Sequence, residues 1–490
     1  MERKKMENPS AEHAEVMEKT TTNTADTDSG KEEAPRKGSL YEKHKTIYVR
    51  TAKGWWTTWR WVFVWGTQLL FYGLPWLSWG DRQAVLLHLV ERKFYIFGLV
   101  FWPQDVFYLT VLLIISAYSL FLFTAVAGRL FCGYICPQTV YTEVFMWIER
   151  IVEGGHTARL KLDKEAMSAR KLKIKLLKHT LWILLAFWTG FTLVGYFTPM
   201  SELTTSLTHF SFGGWEFFWI FFYGGFTYLM AGFMREQVCK YMCPYARFQS
   251  AMFDRDTLII TYDEKRGEPR GVRKKGEETA KLGDCVDCGI CVQVCPVGID
   301  IRKGLQYECI GCGACIDGCD EVMDRLHLPR GLVCYASENS MEQRYGRKGL
   351  VAHIARPRIL LYSVILLAII SAAVWSLITR IPLRADVIRD RSVLSREVED
   401  GRIENIYILK IMNMQEAPRT FQLSVGGLDG IAISGNTRVS LNPTENRDVT
   451  VGVRVSQTAA EQGVHKIYFD VVAEDDEAVA VHEKSTFLMP

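Results

Sequence analysis

Cysteine is missing from both ends of this chain: all 13 lie between Cys132 and Cys334. Neither end can therefore be a disulfide framework. Charge of one sign is not in excess either, the net being +3, so composition gives no argument for nucleic acid as a partner. No nucleotide-binding fingerprint occurs, so NADH or NADPH is not expected to bind directly. The opening residues, MERKKMENPS, contain no apolar core, which argues against a cleaved signal peptide. Residues 1–47, rich in Glu, Lys, Thr, Asp and Asn, read as a disordered cytoplasmic tail. Histidine is absent from the long apolar runs, which disfavours a membrane haem held by two histidines. His179 at a run's edge and His209 in a loop read as structural or surface residues.

What the chain has in quantity is clumped apolar sequence. Five runs are long enough to cross a bilayer core, which takes roughly 20 residues. They are Trp61 to Gly80, Val106 to Gly128, Leu181 to Met200, Phe217 to Met234 and Ile359 to Thr379. Arg60, Arg129, Lys178, Arg235, Arg358 and Arg380 bound them abruptly, unlike the buried helices of a large soluble protein. Ala84 to Trp102 is apolar but interrupted by Glu91-Arg92-Lys93, and reads as an interfacial segment. Ten Lys/Arg fall between Arg129 and Lys178, and none between Pro199 and Glu216. The positive-inside rule then puts the N-terminus, the 129–180 loop and the 235–358 segment in the cytoplasm, with everything after Arg380 outside. Every cysteine falls on the reducing side, where thiols are expected to bind metals or do chemistry.

The organisation expected is a multidomain membrane protein. A transmembrane region, 48–258, has four spans; a cytoplasmic α+β domain, 259–356, carries most of the cysteines; a fifth span, 357–380, completes a five-helix bundle; and 381–490 lies outside. In that last part Phe421, Leu423 and Val425 share a face, as do Val449, Val451, Val453 and Val455. Asn442-Pro443 and nearby glycines punctuate them, which argues for a small β-sandwich. Glu474 to Glu477 reads as a loop rather than a metal site.

The strongest motif is CVDCGICVQVCP followed by CIGCGACIDGCD, C-x2-C-x2-C-x3-C twice. This is the bacterial two-cluster ferredoxin spacing, in which the fourth cysteine of each run ligates the other cluster. One [4Fe-4S] cluster is expected on Cys285, Cys288, Cys291 and Cys319, the other on Cys309, Cys312, Cys315 and Cys295. Zinc also takes C-x2-C pairs, but two such dense runs argue for iron–sulfur. Asp320 stands where the first run has Pro296, and Cys334 reads as a lone packed thiol.

Two further pairs sit at run ends, in CGYICPQTVY and CKYMCPYARF. Both read C-x-Y-[I/M]-C-P-x-x-x-[Y/F], aligning Cys132 with Cys239 and Cys136 with Cys243; outside these ten positions the two halves differ. The match suggests an internal repeat with its pairs at one depth. Spacing i, i+4 shares a face if the helix persists, although proline after the second cysteine tends to break it. Such thiols could hold a soft metal, act as a redox dithiol or bind a third cluster. The bland alternative is that small buried cysteines merely pack helix ends.

With AGRLFCGYICPQTVYTEVFMWIER, MREQVCKYMCPYARFQSAMFDRDTL, YDEKRGEPRG, GIDIRKGLQYECIGCGACIDGCD and RDR at 389–391, the sequence resembles the cytochrome c oxidase accessory proteins (CcoG, FixG and RdxA), membrane polyferredoxins, over nearly everything after Tyr48. That resemblance implies an immunoglobulin-like outer domain, the bacterial inner membrane, and a role in assembling cbb3-type oxidase by reducing Cu(II) to Cu(I). It makes Cys132, Cys136, Cys239 and Cys243 the copper-binding, catalytic candidates. Implied partners are the lipid bilayer, copper, oxidase assembly factors or copper chaperones, and an unidentified electron donor. Two alternatives stand beside it. One is a quinol-linked electron-transfer subunit, since the arrangement also resembles membrane subunits of periplasmic nitrate and nitrous oxide respiration. The other is a non-catalytic assembly scaffold or copper chaperone.

Overall fold

The computed structural model describes residues 47–272, 282–342, 356–390, 395–398 and 401–490. The expected tail falls, except for Ile47, outside them, as does Arg391 of the RDR stretch. The first helix, α1 (Trp55–Gly73), starts earlier than the apolar run suggests, because Asp317 caps it: its carboxylate accepts from the backbone N–H of Trp56 at 3.3 Å and of Thr57 at 2.6 Å. It also stops earlier. Pro75, lacking a donor N–H, sits in the single turn Leu74–Trp76, and a hairpin of β1 (Ser78–Trp79) and β2 (Arg82–Gln83) follows. The expected span Trp61 to Gly80 is thus corrected to a shorter helix that also contains Arg60. A three-stranded meander, β3 (Val85–His88), β4 (Lys93–Ile96) and β5 (Leu99–Phe101), occupies the stretch read as interfacial.

Then come α2 (Val106–Ala127), the short α3 (Leu130–Tyr134), α4 (Pro137–Glu153) and α5 (His156–Lys164). Next, α6 (Ala169–Val194) begins at a Ser168 cap, whose side chain accepts from Lys171 N–H at 3.2 Å. The run Leu181 to Met200 is therefore displaced: its helix starts among the basic residues, and Met200 opens a separate α7 (Met200–His209) after Pro199. The helix α8 (Gly214–Thr227) runs on as a π-helix, Tyr228–Met234. Ala186 and Gly190 of α6 meet Gly224 and the Ile220 carbonyl of α8, backbone against backbone, the small-residue packing of membrane helices. Among the described residues, four helices are long and apolar enough to cross a membrane: 103–127, 169–194, 214–234 and 357–378. The five-span expectation fails this measure at α1.

A second π-helical turn, Val238–Met242, leads to α9 (Pro244–Met252). The cysteine-rich module follows, with β6 (Ile259–Tyr262), α10 (Ile290–Gln293), α11 (Ala314–Arg325) and β7 (Val333–Ala336), β6 pairing antiparallel with β7. Cys334, half-buried on β7, faces Thr261 across that pair. Residues before α1 run along this module, Arg50 N–H donating to Gln293 O at 2.8 Å. The last helix, α12 (Pro357–Ile378), packs on α2, where Tyr108 and Ser376 share a hydrogen bond of 3.0 Å.

The final part is a two-sheet sandwich. One sheet runs β12 (Ala432–Ser434), β14 (Asn446–Ser456), β10 (Arg402–Asn413), β8 (Leu383–Arg389), with β9 (Arg396–Glu397) on β10. The other runs β13 (Arg438–Leu441), β11 (Arg419–Gly426), β15 (Gly463–Ala473), β16 (Ala480–Met489). Tyr407, Phe421, Leu423, Val451, Val453, Val455, Phe469 and Phe487 form the core between them, as the alternation predicts. Glu474 to Glu477 is a loop, Glu474 and Asp475 pairing with Arg438 and Arg419. Arg82–Glu416 and Arg380–Asp105 ion pairs tie the sandwich to the β1–β2 hairpin and the start of α2.

Candidate functional site

The eight ferredoxin-spaced cysteines line two cavities. One is lined by Cys285, Cys288, Cys291 and Cys319, with Tyr262, Met323 and Leu332 as apolar walls. The other is lined by Cys295, Cys309, Cys312 and Cys315, with Cys291, Val297 and four isoleucines. The crossing of the fourth cysteines comes from α10 and α11 lying side by side. Backbone amides of Ile299, Val297 and Gly298 offset the burial that raises the Cys295 thiol. Burial pushes Cys291 up to about 11 and Cys309 and Cys319 to about 12. These are neutral, hidden thiols until a positive centre draws their protons off. Sulfur donors, apolar walls and amides aimed at sulfur fit iron–sulfur clusters.

The membrane-edge pairs come together. Cys132 sits in α3, and Cys136 is the residue before Pro137, at the head of α4; Cys239 sits in the π-helical turn, and Cys243 precedes Pro244 at the head of α9. In neither half does the helix persist to the second cysteine, so each pair bridges a break, not one helix face. The thiols lie close together: a thiolate at Cys132, Cys136 or Cys243 would oppose ionisation of Cys239, and one at Cys136 or Cys243 that of Cys132. Burial first, then the neighbouring thiols, push Cys132 up to about 11 and Cys239 to about 12. Cys136 is also raised by burial, opposed by the N–H groups of Thr139 and Gln138 at the head of α4. Among the described residues no three His, Cys, Asp or Glu are arranged to hold a single metal ion. The quartet is a set of gathered but separate thiols.

The repeat extends beyond the ten aligned positions. Four residues before each first cysteine the chain turns with the same backbone, Gly128 at φ 56°, ψ −123° and Arg235 at φ 38°, ψ −111°. The residue after each C-P reaches into the other half. Gln138 donates to the carbonyls of Met230 at 2.9 Å and Arg235 at 3.2 Å, while Tyr245 bonds the Leu120 carbonyl at 3.1 Å and Thr124 Oγ1 at 2.7 Å. Sequence could not reveal this, because Gly and Arg, or Gln and Tyr, share no side-chain chemistry. Gln249, fully buried, accepts from Cys132 Sγ at 3.4 Å and donates to Thr124 Oγ1 at 3.3 Å.

Charged residues hold Arg235 in its left-handed turn. Glu149 of α4 binds Arg235 at 3.1 Å, Arg159 at 3.2 Å and Lys178 at 3.5 Å. Burial would raise its carboxyl, but those cations hold it below the ordinary glutamate range. Glu143 binds Arg60 at 2.8 Å and Arg150 at 2.9 Å, and Glu153 binds Lys175 at 2.8 Å and Lys178 at 2.9 Å.

Finally, the quartet touches the cysteine-rich module: Cys132 and Cys239 pack against its apolar core. A Cβ on Gly133 would stand 2.9 Å from the Cys312 Cα and from the Gly311 and Ile310 carbonyl oxygens. Tyr134 OH donates to the Cys312 carbonyl at 3.2 Å, and Arg129 donates to the Tyr307 and Ala246 carbonyls.

Apolar helices joined to a module of cluster-spaced cysteines make this a membrane-associated iron–sulfur electron-transfer protein. Known families agree: residues 234–338 match a 4Fe-4S dicluster domain, 109–153 a 4Fe-4S binding domain, and 373–490 the IG-like fold at the C-terminal of FixG. The only cysteines in 109–153 are Cys132 and Cys136. The chain belongs to the FixG/RdxA/RdxB family. It is 34% identical to nitrogen fixation protein FixG of Rhizobium meliloti, over 92% of this chain and 93% of that one. Against proteins RdxB and RdxA of Cereibacter sphaeroides the identity is 40% over 81% and 85%, and 38% over 86% and 91%.

Proposed function

We propose that the protein takes single electrons into its cysteine-rich module and hands them to Cu(II) at the membrane-edge quartet, supplying Cu(I) for assembly of a cbb3-type oxidase. Cys285, Cys288, Cys291 and Cys319 hold one [4Fe-4S] cluster, and Cys295, Cys309, Cys312 and Cys315 the other; the clusters supply one-electron storage. Cys132, Cys136, Cys239 and Cys243 hold the copper. The observation that carries this reading is that Cys132 and Cys239 pack directly on the core containing the ferredoxin cysteines. Thiolates favour Cu(I) over Cu(II), so the quartet assists the reduction as it closes on the ion. The N–H groups at the head of α4 favour the Cys136 thiolate. Orientation follows loop charge: the cysteine-rich module faces the cytoplasm and the sandwich faces outside.

The test is chemical. Anaerobically reduced protein, freed of excess reductant, receives Cu(II) and a Cu(I)-specific chelator, beside Cys136→Ser and Cys243→Ser. Iron and sulfide should match two clusters per chain in all three proteins, with Cu(I) yield high only in wild type. Iron for a third cluster, lost in the variants, would move the quartet from copper to a cluster. Electrons taken by a quinone analogue and not by copper would favour the quinol-linked reading.

A further inference from the structure

The two cysteine cages are not placed alike. In the cage of Cys285, Cys288, Cys291 and Cys319, Cys288 and its neighbour Asp287 are exposed, whereas each cysteine of the other cage is buried or half-buried. The loop of the other cage, 310–312, lies on Gly133, and Tyr134 holds its Cys312 carbonyl. An adjoining cavity shares Val297 and Ile310 with that second cage and reaches Cys239. Both membrane-edge pairs therefore approach the same cage.

The repeat supplies an independent argument. Gly133 corresponds to Lys240 in the second half. Glycine at 133 is demanded by backbone approach, because three backbone atoms of the loop occupy the space a Cβ would need. The two halves thus differ in side chain at the position where backbone of the module meets the first half.

We infer that the contact of Gly133 and Tyr134 with residues 310–312 is the crossing point for electrons. The cage of Cys295, Cys309, Cys312 and Cys315 delivers to the quartet, and the cage containing Cys288 receives from the external donor. This rests on the electron-transfer reading above. One electron enters at the Cys288 cage from a reduced one-electron carrier, one passes between cages, and one leaves to convert Cu(II) to Cu(I). No bond or proton has to move between the cages. Electron tunnelling falls steeply with distance, so the thin backbone contact at Gly133 matters to rate, not to cluster content.

Two experiments on the full-length protein decide it. In the first, Cys288→Ser marks which paramagnetic signal belongs to its cage, and wild type is then measured with a water-soluble gadolinium chelate. The signal of the Cys288 cage should relax strongly and the other weakly; the reverse would overturn the order. In the second, Gly133→Ala is compared with wild type for cluster reoxidation by Cu(II). Reoxidation should slow ~10-fold or more, as small misplacements of reacting groups do, with iron, sulfide and cluster potentials unchanged. An unchanged rate would overturn the crossing point. If Cu(II) reoxidises nothing even in wild type, the copper reading falls, while the relaxation measurement still decides the order of the cages.

Discussion

Gly128 and Arg235 share one turn, and the chain meets its demand in two ways. At Gly128 the φ of 56° costs glycine little, and an added Cβ would meet the Leu258 carbonyl at 2.6 Å. At Arg235 the same turn is imposed on an L side chain, held by Glu149 and by the Trp182 ring 5.5 Å from its guanidinium. Strain of this kind persists only where surroundings over-determine it. Gly128→Ala should destabilise the protein by ~1–3 kcal/mol, read as a lowered thermal midpoint in detergent with both clusters present. The grouping of the cluster-spaced cysteines around two cavities could be read from their spacing. Gly133, Gln249 and Asp317 were not, because their roles depend on what a distant segment places against them.

The helix α4 buries three glutamates, Glu143, Glu149 and Glu153, each paired with cations. Removing the acid of such a network strands its cations, which costs ~3–5 kcal/mol when one partner of a buried pair is lost. Glu149→Ala should show that loss and loosen the second cysteine pair, measured as faster alkylation of Cys239 and Cys243. Within the sandwich, Glu404 on β10 is buried between Arg454 at 2.8 Å and Arg396 at 2.6 Å. Burial alone would raise its carboxyl, but the two arginines hold it below the ordinary value. The stability it contributes is present above the unfolded-state value of about 4.3 and is lost as pH falls through the depressed folded value. Hydrogen exchange of β10 should therefore accelerate below that pH, and Glu404→Gln should flatten the dependence. Strands could be read from alternation, and apolar runs from composition. Helix ends could not: α1 begins where Asp317 caps it and α6 where Ser168 does, both ahead of the apolar residues.

For the whole molecule, membrane domain, cysteine-rich module and sandwich were all legible, because each has its own pattern: apolar runs, cysteine spacing, period-two alternation. The interlocking of the two halves and the seat of the module on Gly133 arise only from the assembled chain. Orientation is testable through the absence of cysteine after Cys334. Val464→Cys, on an exposed position of the sandwich, should react with a membrane-impermeant maleimide added to intact spheroplasts. Labelling of Val464→Cys only after the membrane is broken would invert the topology.

In the proposed reaction, electrons leave the clusters through the four membrane-edge thiols. Reduced wild type and the double variant Cys136→Ser/Cys243→Ser, matched for iron and sulfide, would be mixed rapidly with Cu(II) under anaerobic conditions. Return of the oxidised-cluster absorbance would be timed against Cu(I) appearance. The two traces should rise together in wild type, one electron per copper, and both should slow sharply in the variant. Equal rates in the two proteins would remove the thiol quartet from the path.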